Sequence, residues 1–220
     1  MMMMLVLLLV LLLLVLTLSL QVLPLLRQPE QQAVLAVTTA LWLGYGAELS
    51  VVTKYAADVF DATPGTLGWL FAAGAGIGLG AAPLGGILAD KFGRRSVIIP
   101  TMSLCAASIG TFALAPTAEA FYVSFGLWSL GAAMVSPAMS AFAVDVSPAS
   151  GHGRGKALAL HRQAGDAIWI VCPVALGVVY DQVGGAQSIV TAVVLMLGAT
   201  AAFASKTKGL AIRLPAQKIP

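Results

Sequence analysis

Apolar residues in this chain run on without alternating. Six runs, near 33–57, 65–89, 96–115, 119–144, 163–180 and 186–205, each have the length of a helix that crosses a hydrocarbon layer. A spanning backbone must satisfy its own polar groups, so helices are expected. A membrane barrel would show alternating polarity instead. Residues 1–26 form a further apolar segment, ended by Arg27, Pro29 and Glu30. It lacks the positive start of a signal peptide. A genuine extra transmembrane helix, an uncleaved anchor and an artefact of start-codon choice are the readings open for it. The expected organisation is this N-terminal segment, a six-helix transmembrane bundle over 27–205 and a basic tail over 206–220.

Composition narrows the class. Charged residues make up 10% of the 220 positions and hydrophobic ones 59%, with a mean hydropathy of +0.94. Ordinary soluble domains carry about 25% charged residues. A soluble fold of this composition would expose large apolar areas, which soluble monomers avoid. The chain is therefore read as an all-α, multi-pass membrane protein in contact with the lipid bilayer. Cys105 and Cys172 both fall inside apolar runs, as buried small residues rather than a disulfide framework. The net charge of +3 gives no reason to expect nucleic acid as a partner, because the basic residues flank spans.

Those charges alternate from one connection to the next. Asp58 and Asp61 occupy the first connection; Lys91, Arg94 and Arg95 the second; Glu119 the third. Arg154, Lys156 and Arg162 mark the fourth, with His152 and His161 nearby, and Asp181 marks the fifth. Lys206, Lys208, Arg213 and Lys218 follow the last run. Basic loops are retained on the cytoplasmic side. The second and fourth connections and the tail are thus expected to be cytoplasmic, with Lys54 the one basic residue toward the outside.

The second connection also carries a motif. Asp90, Lys91, Arg94 and Arg95 place four charges within six positions, framed by Gly86 and Gly93. Gly86 is suited to close packing at the end of the second helix, and Gly93 to a tight turn. Asp90 lies where it can meet a helix N-terminus or a basic partner. Arg94 and Arg95 can donate forked hydrogen bonds to a carboxylate, and Asp145, at the same end of the fourth helix, is a candidate partner. These features suit a latch at the mouth of a helix bundle. A loop that only fixes topology would need no more than Lys and Arg. Within the second helix, Gly74, Gly76, Gly78 and Gly80 give small residues four apart, a spacing that lets helices approach closely in lipid.

Gly86, Asp90, Lys91, Gly93, Arg94 and Arg95 resemble the signature loop of the major facilitator superfamily. That loop follows the second helix of each six-helix half, as it does here. Arg154-Gly155-Lys156 is similar to the family's element between the fourth and fifth helices. Cys172, Pro173 and Gly177 are similar to its fifth-helix pattern, with Cys172 where a glycine is common. The resemblance covers roughly residues 33–205. It implies one six-helix major-facilitator-type half bundle, resembling the drug/proton antiporter-like branches. It also implies secondary transport of a small organic solute by alternating access between two such bundles, the site lying between them. A lone half would need a homodimer, a partner chain or a second half of its own gene product. A truncated membrane protein that pairs with or regulates a full-length relative is the alternative of a different class.

Ionisable residues inside spans are functional candidates. Glu48 lies inside the first run, after Trp42 and Tyr45, as a coupling or substrate-cavity carboxylate or as a partner of Lys54. Asp166, one turn after Arg162, is either a second such group or half of an i,i+4 ion pair. His161 and Asp166 also have the His-x4-Asp spacing of glycerolipid acyltransferases, in which the histidine acts as a base oriented by the carboxylate. No soluble α/β pattern surrounds them. No nucleophile elbow, metal-ligand set or phosphate loop accompanies them, and no cofactor is implied.

Overall fold

A computed structural model of the chain describes residues 29–146 and 153–209. Six long helices follow one another: α1 over Pro29–Phe60, α2 over Pro64–Phe92, α3 over Arg94–Phe112, α4 over Ala118–Asp145, α5 over Gly153–Val183 and α6 over Gly185–Lys206. All six are long and apolar enough to cross a membrane. The expected N-terminal segment 1–26, His152, Arg213 and Lys218 lie outside the described residues.

Local chemistry sets the ends. Pro64 opens α2, and the Thr63 hydroxyl before it accepts from the Thr66 amide at 3.2 Å. Thr117 caps α4 in the same way through the Ala120 amide at 3.3 Å. One glycine, Gly93 at φ +90°, separates α2 from α3, and Gly184 at φ +104° separates α5 from α6. Side-chain-bearing residues rarely take such φ values, so both turns call for glycine. α5 starts about ten residues before the expected 163, at Gly153. Ala157, Leu158, Ala159 and Leu160 favour helix, so the basic stretch expected in a loop extends the helix beyond its apolar span, Leu158–Val183.

The packing repeats after three helices. α4 packs most extensively on α2 and α3, while α1 packs most on α6 and α5, and α3 meets α6. Shifting each label by three exchanges the two sets. The single-glycine turns after α2 and after α5 obey the same shift but lie at opposite ends of the bundle. This is a 3+3 inverted repeat, an arrangement common in transporters.

The core gathers between α1, α3, α4 and α6. Trp128, Phe112, Phe121, Phe125, Ile98 and Met196 are fully enclosed. The equivalent helices α2 and α5 are the most peripheral, with only 11% and 17% of their apolar windows buried. Trp69 and Leu79 on α2, and Ile170 and Val174 on α5, face outward.

The glycines of α2 divide by face. A Cβ on Gly74 would stand 2.6 Å from the Ser129 hydroxyl of α4, and one on Gly85 would run into the backbone of Met134. Gly76, Gly80 and Gly86 have no atom within 4 Å of that position, and Gly78 meets Ala133 at an ordinary 3.7 Å. Close packing expected of Gly86 is therefore performed by Gly85, one residue earlier and about 100° around the helix.

Candidate functional site

Two regions bring the sequence-derived candidates together. The first is the end of the bundle that carries the α2–α3 turn. Gly93 reverses the chain there, so Arg94 and Arg95 begin α3. Two cations in a first helical turn oppose the helix dipole. Each is offset differently. Arg94 pairs with Asp90 of α2 through Nη1 and with Asp145 of α4 through Nε, at 3.4 Å from Oδ2. Arg95 turns away from both carboxylates. Its Nη2 donates to the Ala204 carbonyl at 3.1 Å and its Nε to the Thr207 hydroxyl at 3.0 Å, at the last turn of α6. Carbonyls there have no partner within their own helix. Lys206 reaches Gln32 of α1 at 2.6 Å. The contacts tie five helices together at one end, from α2 through α3 to α4 and from α3 through α6 to α1. Lys91 is exposed, its ammonium 5.3 Å from the Phe92 ring centre.

The second region lies at mid-span. α1 changes from α- to π-geometry over Glu48–Val52. Such one-turn bulges commonly mark functional positions. Glu48 opens the π turn and is 7% exposed, yet it makes no ion pair among the described residues. Lys54 instead bonds Asp58 at 2.8 Å, and Asp58 also accepts from the Tyr180 hydroxyl at 2.6 Å. Glu48 lines a cavity of about 280 Å³ between α1, α2 and α4, with Tyr45, Phe71, Phe125, Trp128 and Ser129. The Trp128 indole comes near the Glu48 carboxylate without reaching hydrogen-bond geometry. Its Nε1 is buried with no partner among the described residues. Gly44 is what admits that indole, because a Cβ there would meet the Trp128 ring.

A larger cavity, about 530 Å³, lies between α1, α4 and α5 and is lined by Trp42, Tyr45, Ser136, Ser140, His161 and Arg162, among others. Tyr45 lines both cavities. Its ring makes an edge contact with Trp128, centroids 5.4 Å apart, and a tilted one with Trp42 at 5.8 Å. Arg162 stacks over Trp42, 5.6 Å from the ring centre, and Gly165 leaves room for the same indole.

The candidates within the spans therefore separate. Glu48 belongs to the smaller cavity and Arg162 to the larger. Asp166 lines neither and pairs with Arg162 at 3.5 Å on an exposed helix face. His161 bonds Thr38 of α1 rather than Asp166. Sequence reasoning missed Trp128, Thr38 and the π turn. Trp128 sat in an apolar run that gave no sign of an unpaired indole. Thr38 depends on a partner 123 positions away.

A family model described as the Major Facilitator Superfamily matches residues 33–213. The chain belongs to the major facilitator superfamily. Among curated proteins, the quinolone resistance protein NorA of Staphylococcus aureus strain MRSA252 is 32% identical over 108 residues, 49% of this chain and 28% of NorA. The multidrug resistance protein 2 of Bacillus subtilis strain 168 is 30% identical over 106 residues, 48% of this chain and 26% of the relative. The chain thus matches just over a quarter of the length of these relatives. Its six helices form a half bundle of the superfamily type, in an integral, multi-pass membrane protein.

Proposed function

We propose that this chain forms one half of a secondary transporter that moves a small organic solute by alternating access, driven by a proton gradient. The observation that carries the reading is Glu48, a carboxylate buried at mid-span in a cavity with no cation partner among the described residues. A charge there is costly in a bilayer and is retained where it takes part in coupling or binding. Both relatives are named for drug resistance, which supports a small drug-like organic solute. Alternation of basic and acidic connections supports a cytoplasmic location for the Arg94 end and the tail. Asp90, Arg94 and Asp145 then form the cytoplasmic latch, with Arg95 binding it to α6.

The outward faces of α2 and α5 supply the place for a second six-helix bundle, from a second copy, a partner chain or another part of a longer product. The same faces favour one alternative: a half that pairs with a full-length relative and regulates it.

Uptake of a labelled solute panel into vesicles tests the reading, with and without an imposed pH gradient. The chain is reconstituted alone and together with a full-length relative, and Glu48→Gln serves as control. Gradient-stimulated uptake that Glu48→Gln abolishes is the expected result. Failure of the gradient to stimulate uptake in either preparation overturns it. Altered uptake by the relative alone, unaffected by Glu48→Gln, selects the regulatory reading.

A further inference from the structure

His161, near the start of the apolar span Leu158–Val183 of α5, has hydrogen bonding that bears on what it can do with a proton. The Thr38 hydroxyl lies 2.7 Å from the Val34 carbonyl and donates its single hydrogen there. The same oxygen lies 2.5 Å from His161 Nδ1. With the hydroxyl hydrogen on that carbonyl, Thr38 accepts and Nδ1 carries the hydrogen of their bond; a hydroxyl turned to Nδ1 would instead leave the ring hydrogen on Nε2. A neutral imidazole with Nδ1–H keeps a lone pair on Nε2. Nε2 has no partner among the described residues, and the ring lines the larger cavity. Protonation at Nε2 leaves the Thr38 bond unchanged, because Nδ1 is a donor in both the neutral and the charged ring. The ring is therefore held in place in both proton states.

We propose that His161 is a proton-carrying station between the Arg94 end of the bundle and Glu48, with Tyr45 between them. The proposal rests on the proton-coupled reading above. A proton taken up at Nε2 makes the imidazolium. Passed on by way of the Tyr45 hydroxyl and cavity water, it converts the Glu48 carboxylate to the acid, and the ring returns to the neutral Nδ1–H form. Tyr45 is placed for this, since it lines the cavity of His161 and that of Glu48. Among the described residues, α1 and α4 face His161 across the cavity. α1 presents Thr38 and Tyr45. α4 presents Ser136, Met139 and Ser140, none of them charged. On α5, Arg162 is adjacent in sequence but held by Asp166 and Trp42.

The test uses the full chain in lipid nanodiscs. The sequence has two histidines, so His152→Asn leaves His161 as the single label for ¹⁵N NMR. The expected spectrum shows the Nδ1–H tautomer, with a titration midpoint that Glu48→Gln displaces. Thr38→Val is expected to release the tautomer toward Nε2–H. An Nε2–H tautomer in the parent, or a titration indifferent to Glu48→Gln, overturns the proposal without bearing on the transport reading. In vesicles where the parent responds to a pH gradient, His161→Gln, incorporated at the parent's level and orientation, is expected to lose at least about tenfold of the stimulation. Full stimulation in His161→Gln overturns the station and leaves proton coupling standing. A parent without any stimulation overturns both.

Discussion

At the turn end of the bundle, Arg94 meets two carboxylates and Arg95 meets a carbonyl and a hydroxyl. At mid-span, Glu48 is buried and meets no cation among the described residues. The Asp90 and Asp145 side chains are 63% and 32% exposed, so water and salt share in their stabilisation. Glu48 has little water to draw on. Charges at the end are satisfied by neighbours one turn away or on the adjacent helix. The mid-span charge has no ion-pair partner among the described residues. A protein selected for stability alone would not keep that difference. In the proposed transporter the end is architecture with a switchable contact, and the middle is where a proton or solute is handled.

The largest expected effect tests that division directly. Glu48→Gln keeps the volume and removes the charge. Gradient-driven uptake is expected to fall about 100-fold, equivalent to about 2.7 kcal/mol, while thermal unfolding in detergent stays the same or moves upward. Asp90→Asn, at the other region, is expected to reduce uptake about tenfold. Equal losses in the two variants would break the comparison, because the end would then matter as much to coupling as the middle.

Next in size is a steric contrast within α2. Gly85→Ala drives a methyl group into the Met134 backbone and is expected to cost about 2 kcal/mol of stability. Gly86→Ala meets open space and is expected to stay within about 0.5 kcal/mol. Thermal unfolding of the two variants side by side decides it. A larger penalty at Gly86 would mean that the outward face of α2 is covered in the assembled protein. A Gly76→Ala variant would then be expected to follow it.

These two glycines also show what a sequence can and cannot say. The turn was readable, because Gly93 between charged residues is a local signal and its φ of +90° is a local fact. The six spans were readable for the same reason: apolar length is written into each run. Which of two adjacent glycines touches α4 depends on the rotation of α2 about its own axis, which packing sets. Glu48 stood out as a charge in an apolar run, but its cavity takes Trp128 from 80 positions away and Phe71 from 23. The π turn left no mark that periodicity could register, since Glu48–Val52 reads as ordinary helix. Arg95 was expected to share a carboxylate with Arg94, and the end of α6, more than 100 positions later, claims it instead.

Arg95 supplies the third test. Its two bonds are partly shielded and charge-assisted. Arg95→Ala is expected to cost about 1.5 kcal/mol, and Arg95→Lys to recover less than half, because an ammonium lacks the fork that reaches both Ala204 and Thr207. Lys91→Ala, lacking any polar partner among the described residues, is expected to change stability by less than about 0.5 kcal/mol. Reversal of that order would place the structural burden on the exposed cation rather than the capping one.

The smallest expected effect is the coupling between Arg94 and Asp145. Their separation of 3.4 Å is long for a charged hydrogen bond, both side chains keep some exposure, and Asp90 competes for the same guanidinium. A double-mutant cycle on thermal stability is expected to give about 0.5 kcal/mol, shrinking further as salt is raised. A coupling above about 2 kcal/mol that salt does not move would require a desolvated pair, and the turn end would then resemble the middle. A weak value suits the proposed latch better than a strong one. Alternating access requires the cytoplasmic contact to open in every cycle, and a bond of a few tenths of a kcal/mol to about 1 kcal/mol biases the closed state without trapping it. In the proposed cycle Arg95, anchored to α6, holds the start of α3 in place while Arg94 releases Asp145 and keeps Asp90.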